Sequence, residues 1–107
     1  MALLEAILVG LGTFIVAVGT LDLIRIVTLW LGDVTDWFRA RFHLIGQNLD
    51  HIAFGIREAQ RNGRVSYVQG VFDDQRGNVL ASRRWDAESL GTDLRRIHGP
   101  NELAVYR

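Results

Sequence analysis

The chain has 107 residues, twelve acidic and twelve basic, and a formal net charge of zero. This length suits one small domain, and the charge balance leaves no bulk electrostatic footprint for nucleic acid. There is no cysteine, which excludes disulfides, thiolate catalysis and cysteine-based metal or iron–sulfur sites.

The chain opens with MALLEAILVGLGTFIVAVGTLDLIRIVTLW, in which sixteen uncharged residues separate Glu5 from Asp22. A helix over this interval rises about 25 Å, against about 30 Å of hydrocarbon in a bilayer. Nine of the sixteen residues are Leu, Ile, Val or Phe, which favours insertion by about 3–5 kcal/mol before the Gly and Thr costs. Residues 1–31 are therefore predicted as a transmembrane or membrane-embedded helix. A helix buried in protein competes with this, because three glycines weaken a water-exposed helix by about 1 kcal/mol each. A secretion signal fits poorly, since no Arg precedes Arg25 and no small-residue cleavage site follows. Ala6, Gly10, Thr13, Ala17 and Thr20 recur at steps of four or three, forming one small-residue face for close helix packing. Arg25, Arg39 and Arg41 all follow the span, so the positive-inside rule puts the C-terminal side in the cytoplasm of a single-pass protein.

After Gly32, apolar residues fall at Val34, Phe38, Phe42, Ile45, Leu49, Ile52, Ile56 and Ala59. The steps of four and three predict an amphipathic helix over 33–62, capped by Asp33 and stopped at Asn62-Gly63. Its first turns carry Trp37, Phe38, Arg39 and Arg41, just beyond Trp30. Aromatics beside arginines next to a span read as a membrane interface. His43 and His51 lie two turns apart, about 12 Å, too far to share one ion. Contact of either with a cofactor supplied by a partner is left open.

From residue 63 the pattern changes. RVSYVQGVF and NVLASRRW, joined across DDQRGN, predict a β-hairpin. Asp73, Asp74 and Asn78 are turn residues rather than calcium ligands, because their spacing does not match an EF-hand loop. A short helix from Ala87 to Ile97 and a strand from Glu102 to Arg107 complete a small ββαβ unit over 63–107. Arg83 and Arg84 must point to opposite faces of their strand. Arg95, Arg96 and His98 sit at a helix C-terminus, the wrong end for an anion.

The expected architecture is thus α+β and membrane-anchored: a transmembrane helix, an amphipathic helix and a ββαβ unit. No catalytic, cofactor-binding or metal-binding residue is assigned, since no nucleophile arrangement, glycine-rich phosphate loop or metal motif is present. The function expected is a non-catalytic, membrane-anchored accessory or assembly subunit of a larger membrane protein complex. Its partners would be that larger protein or copies of itself, together with membrane lipid. The alternative is a self-assembling structural membrane protein. A small ligand-sensing or enzymatic domain ranks third, with Asp73/Asp74 and Glu88 with His98 as its only clusters.

Overall fold

Residues 65–90 form the scaffold on which everything else is laid. VSYVQGVFD is rich in β-branched and aromatic side chains that suit a pleated surface, and both its faces are largely buried, as befits a central strand. The turn after it is built by Asp73, whose Oδ1 accepts from the backbone N–H of Gln75 and Arg76 at 3.0 and 3.1 Å, an aspartate-driven turn.

The computed structural model describes residues 2–18, 22–46, 49–60 and 62–106. The elements are α1 (Leu3–Val18), β1 (Asp22–Leu29), α2 (Leu31–Arg39), α3 (Phe42–Ile45), β2 (His51–Ala59), β3 (Val65–Asp73), β4 (Asn78–Leu90), α4 (Thr92–His98) and β5 (Leu103–Tyr106). The five strands make one mixed sheet in the order β1-β4-β3-β2-β5. Only β1 and β4 run parallel; β2–β3, β3–β4 and β2–β5 are antiparallel.

The sheet separates two cores. On one face Ile7 and Leu11 of α1 pack on Phe54, Ile56, Phe72 and Val79. On the other, Val34, Trp37 and Phe38 of α2 and Leu94 of α4 pack on Ala53, Tyr67, Val71, Trp85 and Ala87. Each fully buried apolar side chain stabilises the fold by about 1.5–3 kcal/mol relative to exposure.

Several expectations are corrected here. Among the described residues no helix is long and apolar enough to cross a membrane. The opening helix has 16 residues, about 24 Å by its rise, and its inner side is spent on the sheet. The residues expected to complete the span, Asp22–Leu29, are instead an edge strand. The transmembrane helix, the membrane anchoring, the single-pass topology and the cytoplasmic orientation derived from it therefore fall.

The amphipathic helix over 33–62 is also overturned: that segment holds α2, α3 and strand β2. The reason is periodic ambiguity. Ile52 and Ile56 are four apart, which is one helical turn but also two strand repeats. In β2, Ile52, Phe54 and Ile56 face α1 while Ala53 packs on the opposite core. The elements after residue 63 do not form a separate ββαβ unit, because β3, β4 and β5 share their sheet with β1 and β2. The expected helix start at Ala87 is displaced as well: β4 continues to Leu90, and α4 begins at Thr92.

Gly10 shows how closely α1 approaches the sheet. A Cβ there would lie 3.2 Å from both Phe72 Cε1 and Val79 Cγ2, so a larger side chain must lift the helix. Gly10→Val should lower stability by about 1–3 kcal/mol through overpacking. Gly32→Ala, where an added Cβ meets nothing within 4 Å, should raise it by about 0.5–1 kcal/mol. Urea unfolding of the two variants beside the parent checks both signs.

Candidate functional site

Three places on the molecule bring functional groups together. The first lies between α4 and β2, β3 and β5. Tyr67 leans from β3 across β2, and Gly55 makes room, because a Cβ at Gly55 would meet the Tyr67 hydroxyl. That hydroxyl bonds His98 Nε2 at 2.6 Å and also the Tyr106 hydroxyl. His98 Nδ1 lies 3.2 Å from the Asn101 carbonyl. A carbonyl only accepts, so Nδ1 carries the proton and Nε2 accepts from Tyr67. Tyr106 then donates to Tyr67, and the chain Tyr106–Tyr67–His98–Asn101 has one direction throughout.

Burial holds the His98 imidazole below its ordinary pKa, and the nearby Arg57 charge adds to this. Burial pushes the Tyr67 hydroxyl far up, with Tyr106 reinforcing it, and pushes Tyr106 up too. All three groups stay neutral across the physiological range. Both nitrogens of His98 are occupied and its side chain is buried, so this set locks α4 and the 99–102 loop onto the sheet. Arg57 completes the lock, its backbone N–H donating to Glu102 O at 3.0 Å and its guanidinium to Gly99 O. Beside it opens a cleft of about 590 Å³, whose lining includes Arg57, Glu58, Glu88, Arg95 and Glu102. Charges of both signs meet there.

The second place is a shallow cleft of about 380 Å³ between α2 and the β1–β4 end of the sheet, lined by Asp33, Asp36, Trp37, Arg41, Arg83 and Trp85. Two guanidiniums lie on indole faces: Arg41 at 4.0 Å from the Trp37 centroid and Arg83 at 5.5 Å from that of Trp85. Partial burial lowers the Arg41 pKa, and the charge of Arg83 lowers it further. The acidic groups here are engaged. Asp22 takes two bonds from Arg83 at 3.0 and 2.8 Å, Asp36 takes Arg39 at 3.1 Å, and Asp33 accepts the Trp30 N–H at 2.9 Å. Trp37 Nε1 is the single buried side-chain donor without a hydrogen-bond partner among the described residues.

The third place is the outer face of α1. Leu8, Val9 and Val16 are 50%, 63% and 85% exposed, and Ile15 37%. Glu5 is the one charged residue in the helix.

Comparison with protein-family models, with curated proteins and with solved structures finds no match. The site must therefore be read from its own chemistry.

The residues singled out from the sequence are dispersed. Of the small-residue face, Ala6 packs on the α1 core and Gly10 is buried against Phe72 and Val79. Thr13 is exposed, its hydroxyl bonded to Val9 O at 3.3 Å, and Ala17 is exposed; Thr20 lies outside the described residues. Of the interface set, Trp37 and Phe38 are core, Arg41 stacks on Trp37, and Arg39 pairs with Asp36. Trp30 is half exposed. His43 is exposed on α3, whereas His51 Nε2 faces Asp73 at 3.6 Å. Gln69 went unnoticed in the sequence, yet it is completely buried. Its signal was a polar residue in the middle of an otherwise apolar central strand.

The neutral state of His98 sets a pH dependence. Its folded pKa lies below the unfolded value of about 6.5, so the unfolded chain binds the proton more readily. The stability from neutral His98 is complete above about pH 6.5 and is lost as pH falls through the folded value. Asp86, held below the usual carboxylate range chiefly by its hydrogen bond from Arg64, loses its contribution only at still lower pH. Denaturation midpoints between pH 5 and 8 should hold steady at the top and decline below about 6.5. His98→Asn should lower the whole curve and flatten that decline.

Proposed function

We propose that the protein is a non-catalytic assembly module, an accessory subunit that acts by docking onto another polypeptide through the outer face of α1. The observation that carries this is that α1 is apolar on both its inner and its outer side, with Glu5 in the first turn as its one charge. Its inner side, Ile7 and Leu11, already fills the core. Its outer side repeats Leu8, Val9, Ile15 and Val16 without a charge among them. A helix hydrophobic on every side is expected to be covered on every side, and contiguous exposed apolar surface marks interaction sites. The other two places support the same reading. The Tyr–Tyr–His chain has no free nitrogen to act as a base, and the carboxylates Asp22, Asp33 and Asp36 near the tryptophan–arginine cleft are bonded to neighbours.

Docking through this face means that charge placed on it should abolish association without unfolding the domain. Leu8→Glu with Val16→Glu alters two exposed positions, so stability should stay within about 0.5 kcal/mol per site. In extracts of the cells that make it, the parent chain should migrate in a species heavier than its own 12.1 kDa, and the double variant should migrate alone. Native-mass measurement of both decides the matter: a parent chain that already migrates alone, at the same mass as the variant, rules the reading out.

A further inference from the structure

Building on the docking role of α1, we infer that the chain that covers its outer face is a second copy of this protein, packed antiparallel about a twofold axis through Gly12. The exposed residues are arranged symmetrically along the helix. Leu8, Gly12 and Val16 form one row at steps of four; Val9, Gly12 and Ile15 form another at steps of three. Both rows cross at Gly12 and read the same from either end: large, glycine, large. These are the two kinds of ridge by which helices interlock. A twofold interface must be self-complementary, with residue i meeting j and j meeting i. An antiparallel pair centred on Gly12 meets that condition, setting Leu8 against Val16 and Val9 against Ile15 of the second copy.

The centre of the contact is open. A Cβ at Gly12 would meet nothing within 4 Å, so no group of this copy stands between one helix axis and the next. The absence of a side chain allows the backbones to approach closely. Gly10, two residues away, serves the opposite side of the helix and packs on the sheet of its own copy. The two glycines thus give α1 one close approach inward and one outward.

Charge selects the antiparallel arrangement. Glu5 is the one charged residue in α1 and is exposed. Parallel packing would set it beside its own copy, whereas antiparallel packing about Gly12 separates the two carboxylates by about 21 Å at 1.5 Å per residue. The helix dipoles then oppose head to tail as well. The area is that of a small contact. The exposed parts of the four apolar side chains come to about half of the roughly 800 Å² per partner of a standard interface. A contact of this size corresponds to a weak, reversible dimer rather than an obligate one.

The lack of cysteine in the chain makes the geometry directly testable by oxidation of single-cysteine variants. Gly12→Cys should form a disulfide dimer by itself. Leu8→Cys and Val16→Cys should each fail alone but cross-link when mixed. Asn78→Cys, in the exposed β3–β4 turn, should remain monomeric. Self-linking of Leu8→Cys and of Val16→Cys would mean parallel packing, and cross-linking no faster than Asn78→Cys would mean that no such dimer forms; either overturns the inference. Sedimentation equilibrium of the parent chain should show a mass rising from 12.1 kDa towards twice that value over micromolar concentrations. Val16→Asp should weaken the dimer at least tenfold.

A photoreactive residue at Val16, activated in the producing cells, separates the two levels of the proposal. A cross-link at twice the chain mass upholds both, and a cross-link to a different protein keeps the docking face but overturns the second copy. No cross-link overturns both.

Discussion

Gln69 on the central strand holds one side of this molecule together. It donates from Nε2 to the Val34 carbonyl of α2 at 3.0 Å and accepts from Trp85 Nε1 of β4 at 2.6 Å. Its backbone carbonyl takes the Ser82 hydroxyl at 2.9 Å. A buried amide is costly unless its groups are bonded, and here both ends of the side chain are. That constraint sets where α2 sits over the sheet. Trp37 and Phe38 then reach the core, and Phe38 comes to 5.1 Å from the Tyr106 ring. Two residues along the same strand, Tyr67 does the corresponding work for α4 and β5. Apolar burial supplies most of the stability on this face, and these two polar side chains decide its register.

The opposite face follows a different rule. Among the described residues no buried hydrogen-bonded side chain links α1 to the sheet; contact there is by shape, with Gly10 admitting Phe72 and Val79 and with Ile7 and Leu11 seated among Phe54 and Ile56. A helix held only by apolar contact needs an apolar inner side. The opening segment has one on its outer side as well, which is why its composition resembles a membrane span. Hydropathy counts both sides together and cannot distinguish a helix in lipid from one laid with a single side on a sheet.

The parts of the fold that could be read from the sequence were those with local causes. The hairpin across Asp73 to Asn78 is specified by turn chemistry, and the opposite directions of Arg83 and Arg84 follow from the strand repeat: Arg83 is drawn to Asp22 while Arg84 is exposed. The failures had non-local causes. Asp22–Leu29 alternates Ile24 and Ile26 with Arg25 and Val27, a strand pattern, but its partner β4 lies some sixty residues later and the adjoining apolar run obscured it. Ile52 and Ile56 fit two periods, and what made them strand was burial on both faces of β2. The candidate surface was less legible: the sequence suggests a small-residue face through Ala6, Gly10, Thr13, Ala17 and Thr20, whereas the large apolar side chains left outside are Leu8, Val9, Ile15 and Val16, and the division between inner Gly10 and outer Gly12 depends on where the sheet lies.

The parallel pairing of β1 with β4 joins Asp22 to Arg83 and Leu29 to Leu90, so the first quarter of the chain contacts residues made near its end. Contacts of such sequence separation are slow to form, because the intervening loop must close before any gain is realised. The antiparallel strands β2, β3 and β4 are neighbours in sequence and can pair early. On the ribosome, α1 and β1 emerge before the strands they pack on, and β1 has no partner strand until β4 follows. The most apolar stretch of the molecule therefore spends synthesis uncovered, a period of aggregation risk. Completion of the sheet hides its inner side and leaves the outer side still carrying that hazard.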